Sequence, residues 1–215
     1  MKKILYIGGV GSDSHLVSTV VRSLAAQCDA NVVGLTFSAA HKDQARVARL
    51  APDCLVIAHA SAMVLLKHTA PKELIAIAPP MPTRSSLLLL RIFSKTFAFL
   101  ASGSESEGRP GKLWNYYAHT LIEHVMRPYQ NNMLLGEISG FDAARTAVEL
   151  ARCGTKVTLG FMENDRLFPE SSRHPHIEIA KLHGVTVHDT VLGHRDEFVL
   201  YPTEVLAQLG YRLNS

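Results

Sequence analysis

The sequence predicts an α/β fold, a mostly parallel sheet of about six strands with helices on both faces. Three observations carry this. Short, continuously apolar runs such as Ile4-Leu5-Tyr6-Ile7 and Leu55-Val56-Ile57-Ala58 alternate with stretches of helical periodicity. Strands apolar on both faces belong to parallel sheets that are covered on both sides. The runs also end at glycine, proline or small residues, which holds them to strand length. The 215 residues, 47% hydrophobic and 19% charged, suffice for a sizeable core and suit one domain over 1–215.

The elements follow in order. Residues 3–8 are a buried strand ended by glycine. Gly8 to Ser14 is a loop. Leu16, Val20, Leu24 and Ala25 recur at helical spacing, so 14–27 is an amphipathic helix with Asp13 or Ser14 as N-cap. A second strand covers 31–37 and a short helix 43–50. The third strand, 53–58, runs through a tight turn into the helical stretch 63–68. The fourth, 73–78, stops at Pro79-Pro80. The alternation then breaks over 83–130, read as a cap or lid insertion. It holds an apolar helical stretch (86–100), a polar hinge (102–111) and an aromatic segment with Trp114, Tyr116 and Tyr117. After it come a helix at 141–153, a strand at 156–161, a helix at 175–183, a strand at 185–192 and a helix at 203–209. No repeat and no second domain is visible.

Composition excludes several classes. The net charge of +3 comes from scattered side chains, without the basic stripe that nucleic acid requires. Cys28, Cys54 and Cys153 are odd in number and far apart, which suits buried thiols in a reducing compartment. The apolar segment after Met1-Lys2-Lys3 is too short for a signal sequence, and no run reaches the length of a membrane span. A cytoplasmic location is expected. The Gly9-x-Gly11 loop does not fit nucleotide binding. Ser14 stands where a third glycine would be, the second strand ends without an acidic residue, and no G-K-S/T follows.

Function in a parallel sheet collects at the carboxyl ends of the strands. Gly8-Gly9-Val10-Gly11-Ser12 follows the first strand. Glu163-Asn164-Asp165-Arg166-Leu167-Phe168-Pro169 follows the fifth, and Gly193-His194-Arg195-Asp196-Glu197-Phe198 follows the sixth. The end of the third strand is Val56-Ile57-Ala58-His59-Ala60-Ser61-Ala62-Met63. Strand, tight turn, helix is the setting of a nucleophile elbow, where G-x-S-x-G holds a serine on a strained turn. Ala58 and Ala62 take the two small-residue places, so the nucleophile's place is Ala60, which has no hydroxyl. His59 reads as a packing neighbour of the elbow. His174 and His176 form an H-x-H pair without a third ligand at suitable spacing, so no metal is implied.

In the order elbow, acid, histidine, and in the acid, histidine and glycine-rich loops just quoted, the chain resembles a small member of the α/β-hydrolase superfamily. The resemblance spans nearly the whole chain. The chain begins where the family's third strand lies, so the family's first hairpin is expected to be missing. The resemblance implies that His194 is general base and then general acid, that Asp165 orients it, and that the N–H groups of Val10 and Ser61 form an oxyanion hole. Asp196 and Glu197 are the alternative acids. Gly9, Met81 and Trp114 are the residues expected at the substrate pocket. A small-molecule acyl substrate, no cofactor, and ester, thioester or amide hydrolysis are implied.

Ala60 leaves three explanations open. Serine at 60 has been replaced by alanine in an active hydrolase, so as to trap substrate or product. Or the natural protein lacks a nucleophile and uses the pocket for binding or as a scaffold. Or Ser61 is the nucleophile of a shifted elbow, which would put His59 and Met63 in the small-residue places. Because acyl transfer alone gives a reason to carry both Asp165 and His194, the first is preferred.

Overall fold

The computed structural model describes residues 2–10, 12, 14–27, 30–88, 90, 91, 94, 135–163, 165, 167–191 and 197–211. Its strands are β1 (Lys2–Ile7), β2 (Ala30–Leu35), β3 (Leu55–His59), β4 (Glu73–Ile77), β5 (Lys156–Met162) and β6 (Thr186–Val191). Its α-helices include α1 (Ser14–Gln27), α2 (Phe37–Lys42), α3 (Gln44–Leu50), α4 (Ala143–Arg152), α5 (Glu170–Leu182), α6 (Glu197–Leu200) and α7 (Pro202–Gln208). Two 3₁₀ segments, Ala51–Asp53 and Ala60–Leu66, flank β3.

The strands form one sheet in the order β2-β1-β3-β4-β5-β6, and every pairing is parallel. Period-two alternation divides the buried side chains between two cores. Leu5, Ile7, Val56, Ala58, Leu74 and Ala76 face the core completed by α2 to α5. Ile4, Tyr6, Leu55, Ile57, Ile75 and Ile77 face the core completed by α1, α6 and α7. The predicted α/β architecture is therefore the observed one.

The chain order matters for function. From β1 the chain moves outward to β2, then crosses back over β1 to β3, and thereafter always advances the same way. Crossovers of one hand put α1 on one face and α2 and α3 on the other. A crevice opens where the direction reverses, at the carboxyl ends of β1 and β3.

Three of the departures from the sequence reading have a local physical reason. The second strand stops at Leu35, because the Thr36 side chain caps a helix that its apolar residues do not announce, accepting from the Ala39 N–H at 3.1 Å. The third strand starts at Leu55 because 51–53 is a 3₁₀ turn with proline in its first turn. The helix expected from Pro175 begins at Glu170, with Pro175 inside it. Burial of Arg173, Ile177 and Ala180 on one face of α5 outweighs the local cost of an interior proline. The expected insertion at 83–130 lies mostly outside the described residues. Of it, 85–88 is helical.

One glycine sets how closely α1 approaches the edge of the sheet. A Cβ on Gly34 would lie 2.5 Å from Val21 Cγ2 and 2.6 Å from Val17 Cγ1. Gly34→Ala is expected to lower stability by about 1–3 kcal/mol, the usual range for overpacking. A reduced urea midpoint at constant m-value would show it, and an unchanged midpoint would mean that α1 can simply ride outward.

Candidate active site

The glycine-rich loop and the elbow meet at the switch point. The Gly8 N–H donates to Leu35 O at 2.9 Å and the Ser12 N–H to Gly9 O at 3.0 Å, which curls the loop back over the end of β1. β3 ends in extended backbone at His59 (φ −97°, ψ 128°), and the next residue, Ala60, has φ 53°. A left-handed conformation is costly for a residue with a Cβ and marks a sharp strand-to-helix turn held by its surroundings. Those surroundings are tight. A Cβ on Gly9 would lie 3.0 Å from both Ala60 Cβ and His59 O. Ala58 and Ala62, in the two small-residue places, are fully buried. The strained residue is thus position 60. A shifted elbow at Ser61 would demand small residues where His59 and Met63 stand, and both are buried in the protein interior.

The structure brings Val10 and Ser61 together. The Val10 N–H donates to Ser61 Oγ at 2.8 Å. The predicted oxyanion pair is adjacent, with one of its N–H groups directed at the hydroxyl of the other. A second left-handed residue stands beside the elbow. Ala78 has φ 49°, and because His59 pairs with Ile77, it follows β4 just as Ala60 follows β3.

Asp165 lies on the loop after β5. With β4 between them, the ends of β3 and β5 are about 10 Å apart across the sheet. The Asp165 carboxyl is buried. Its Oδ1 accepts from the N–H groups of Leu167 at 2.9 Å and Phe168 at 3.3 Å, which closes the turn.

Two arginines that the sequence reading did not single out hold this loop. Arg173, on α5, is 1% exposed. Its Nη1 donates to Met162 O (2.9 Å) and Phe168 O (3.4 Å), the two ends of the segment carrying Asp165. Its Nη2 donates to Asp189 O (3.2 Å) and its Nε to Asp189 Oδ1 (3.3 Å), which ties the loop to β6. The guanidinium also lies over Phe161, 5.5 Å from the ring centre. From above, Arg91 Nη1 donates to Leu167 O at 2.8 Å. A signal for Arg173 existed. It shares the i, i+4, i+7 spacing of Ile177 and Ala180, which put it on the buried face. Arg91 carried no such mark, because its partner lies 76 positions away.

His194 and Trp114 lie outside the described residues, as do Asp196 and the nitrogen-bearing neighbours Asn164 and Arg166. The helix after His194 is described. Its Phe198 packs on His59, with ring centres 5.5 Å apart, and on Tyr6 at 5.9 Å. His59 is accordingly a packing residue next to the elbow. Met81 is fully buried in the core on the α2 to α5 face. His176 does not pair with His174. Its Nδ1 lies 2.9 Å from Asp142 Oδ2, the carboxylate that also caps α4. Among the described residues no group of three or more metal-ligating side chains occurs, and no helix is long and apolar enough to cross a membrane. An open cavity of about 480 Å³ between α1 and β2 is lined by Val17, Ser18, Val21, Arg22 and Gly34, none of which the sequence placed at the site.

No protein-family model and no curated protein sequence matches the chain. Solved structures do. The chain is similar to a thioesterase domain from the curacin biosynthetic pathway (14% identity, TM-score 0.61), over 98% of this chain and 91% of that one. It is similar to a hydrolase from Oleispira antarctica (11% identity, TM-score 0.59), over 97% and 89%. A thermophilic esterase aligns over 98% of this chain and 91% of its own, at 14% identity and a TM-score of 0.53.

Arg173→Met would remove a donor from each end of the acid loop and leave Asp189 without its partner. A loss of about 2–4 kcal/mol is expected from the unsatisfied buried groups. Urea unfolding measures it, and a loss below about 0.5 kcal/mol would mean that the loop holds itself.

Proposed function

We propose that this chain, which has the α/β-hydrolase fold, is a serine-type hydrolase of esters, thioesters or amides with alanine in the nucleophile's place. The observation that carries this reading is the left-handed backbone of Ala60 at the end of β3, pressed against Gly9. Strain of this kind serves no packing purpose that a glycine would not serve better. It does serve to lift one side chain out of a strand-to-helix turn toward a substrate.

The roles follow from chemistry. A serine Oγ at 60 attacks the acyl carbon, and His194 takes its proton. The charge that develops on the carbonyl oxygen is met by the N–H groups of Val10 and Ser61. His194 then protonates the leaving group, and water releases the acyl-enzyme by the same steps, so that one hard reaction becomes two easier ones. Asp165 keeps the histidine in the required tautomer and stabilises its cation. The buried Asp165 carboxyl, the loop held at both ends by Arg173 and the anchoring of Phe198 beside the elbow all support this arrangement. The esterase and thioesterase among the structural neighbours support the acyl class. Two further neighbours are named as serine-to-alanine variants of hydrolytic enzymes, a deformylase from Pseudomonas putida and a meta-cleavage product hydrolase from Pseudomonas fluorescens.

A second reading, a natural binding or scaffold protein, is favoured by the bond from the Val10 N–H to Ser61 Oγ. An N–H already engaged inside the protein is not aimed at a substrate. The two readings separate on one substitution. Ala60→Ser is expected to raise p-nitrophenyl butyrate hydrolysis by on the order of 10³-fold or more and to make the protein react with a fluorophosphonate at residue 60. A folded serine variant that neither turns over nor labels refutes the hydrolase reading.

A further inference from the structure

We infer that the Ser61 side chain is a positioning residue that occupies the oxyanion hole, withholding the Val10 N–H from a substrate carbonyl and yielding it only to a developing oxyanion. This rests on the hydrolase reading of the elbow given above, and it assigns to the Ser61 hydroxyl a task separate from that of its backbone N–H.

The geometry is specific. A backbone N–H has one proton, and that of Val10 points at Ser61 Oγ over 2.8 Å. An oxygen arriving at the hole meets an N–H that is already satisfied and must displace the hydroxyl. Ser61 is buried, which limits exchange with water as an intermediate step. The loop has little freedom to swing away. Gly9 packs so closely on Ala60 and His59 O that even a Cβ would lie 3.0 Å from each, and the next turn is closed by the Ser12 N–H on Gly9 O. The remaining route is rotation of Ser61 about χ1 to another staggered position, with the backbone unmoved.

The competition is unequal in the two stages of reaction. A neutral ester carbonyl is no better an acceptor than a hydroxyl oxygen, so in the ground state Ser61 keeps the N–H. An oxyanion forms a charge-assisted hydrogen bond about twice as strong, so in the transition state it takes the N–H. The carbonyl forgoes one neutral hydrogen bond and the oxyanion must displace one, so Ser61 weakens substrate and transition-state binding by about the same amount, which acts on KM and leaves kcat nearly unchanged. Displacing the hydroxyl costs about one net hydrogen bond, on the order of a two- to tenfold effect on kcat/KM. That is far less than the hundred- to thousandfold worth of an oxyanion donor. The latch moderates the site without closing it.

The test compares Ala60→Ser with Ala60→Ser/Ser61→Ala on p-nitrophenyl butyrate. The double variant is expected to show KM lowered two- to tenfold at nearly unchanged kcat, a split that loss of a merely structural bond would not give. Amide hydrogen exchange at Val10, in the parent chain and in Ser61→Ala, tests the latch without any nucleophile. Val10 should exchange at least about tenfold faster in Ser61→Ala, while Leu5 to Ile7 stay protected. Equal or lower kcat/KM in the double variant, beside an active Ala60→Ser, overturns the inference and leaves the hydrolase reading standing. Unchanged Val10 exchange overturns it as well. An inert Ala60→Ser overturns the hydrolase reading, and the assigned competition falls with it, whereas exchange at Val10 still shows whether the hydroxyl holds the N–H.

Discussion

Close approach of two backbones at the carboxyl ends of β1 and β3 is the constraint on which the site depends. The sheet brings the strands side by side, and the reversal of chain direction opens a crevice between them. Gly9 fills that crevice with backbone alone, because a Cβ there would meet Ala60 and His59. Ala60 turns into the left-handed region for the same reason, since the chain must leave β3 within one residue and enter a 3₁₀ turn. Ala58 and Ala62 are fully buried on either side of Ala60. The small residues on both sides of the crevice are thus a single packing solution. Its product is one Cβ, that of residue 60, held against the loop whose N–H groups would face a substrate.

A second constraint governs the acid loop. A loop of seven residues between β5 and α5 has no ladder of its own, and its backbone groups must find partners elsewhere. Asp165 supplies acceptors for two of them from within the loop. Arg173 supplies donors for both ends from beneath, and Arg91 supplies one from the segment that follows β4. A planar guanidinium suits this task, because its fixed fork serves three carbonyls and a carboxylate at once. Burying it is tolerable because so many of its donors are engaged. The link through Asp189 joins the acid loop to β6, the strand that leads to His194. The loop of Asp165 and strand β6 are therefore held by one side chain.

The fold was legible because its signals are local and repeated. Leu5 and Ile4, or Val56 and Ile57, are apolar in succession because the two faces of the sheet each need a core. Asp43 and Asp142 sit where a carboxylate can cap the helix that follows, and both do. What misled the reading was local chemistry with two outcomes. Phe37 extends the second strand by its character, yet it opens α2 once the Thr36 hydroxyl turns the chain. Pro175 looks like a helix start, yet it lies within α5, because packing of Arg173 and Ile177 recruits the preceding turn.

The sequence by itself determined the alternation of buried strands and helices and the place of Ala60 between two small residues after the third strand. These are written in residue types and short spacings, which single-chain periodicity expresses directly. Tertiary structure alone decided that Val10 N–H meets Ser61 Oγ across 51 positions, that Arg173 and Arg91 clamp the loop of Asp165, and that Ala78 shares the left-handed turn of its neighbour. A hydrogen bond between distant residues depends on strand order and register, and no spacing along one chain encodes either. At the end of β3 the sequence shows which residues are small, and the folded backbone decides what occupies the space around them.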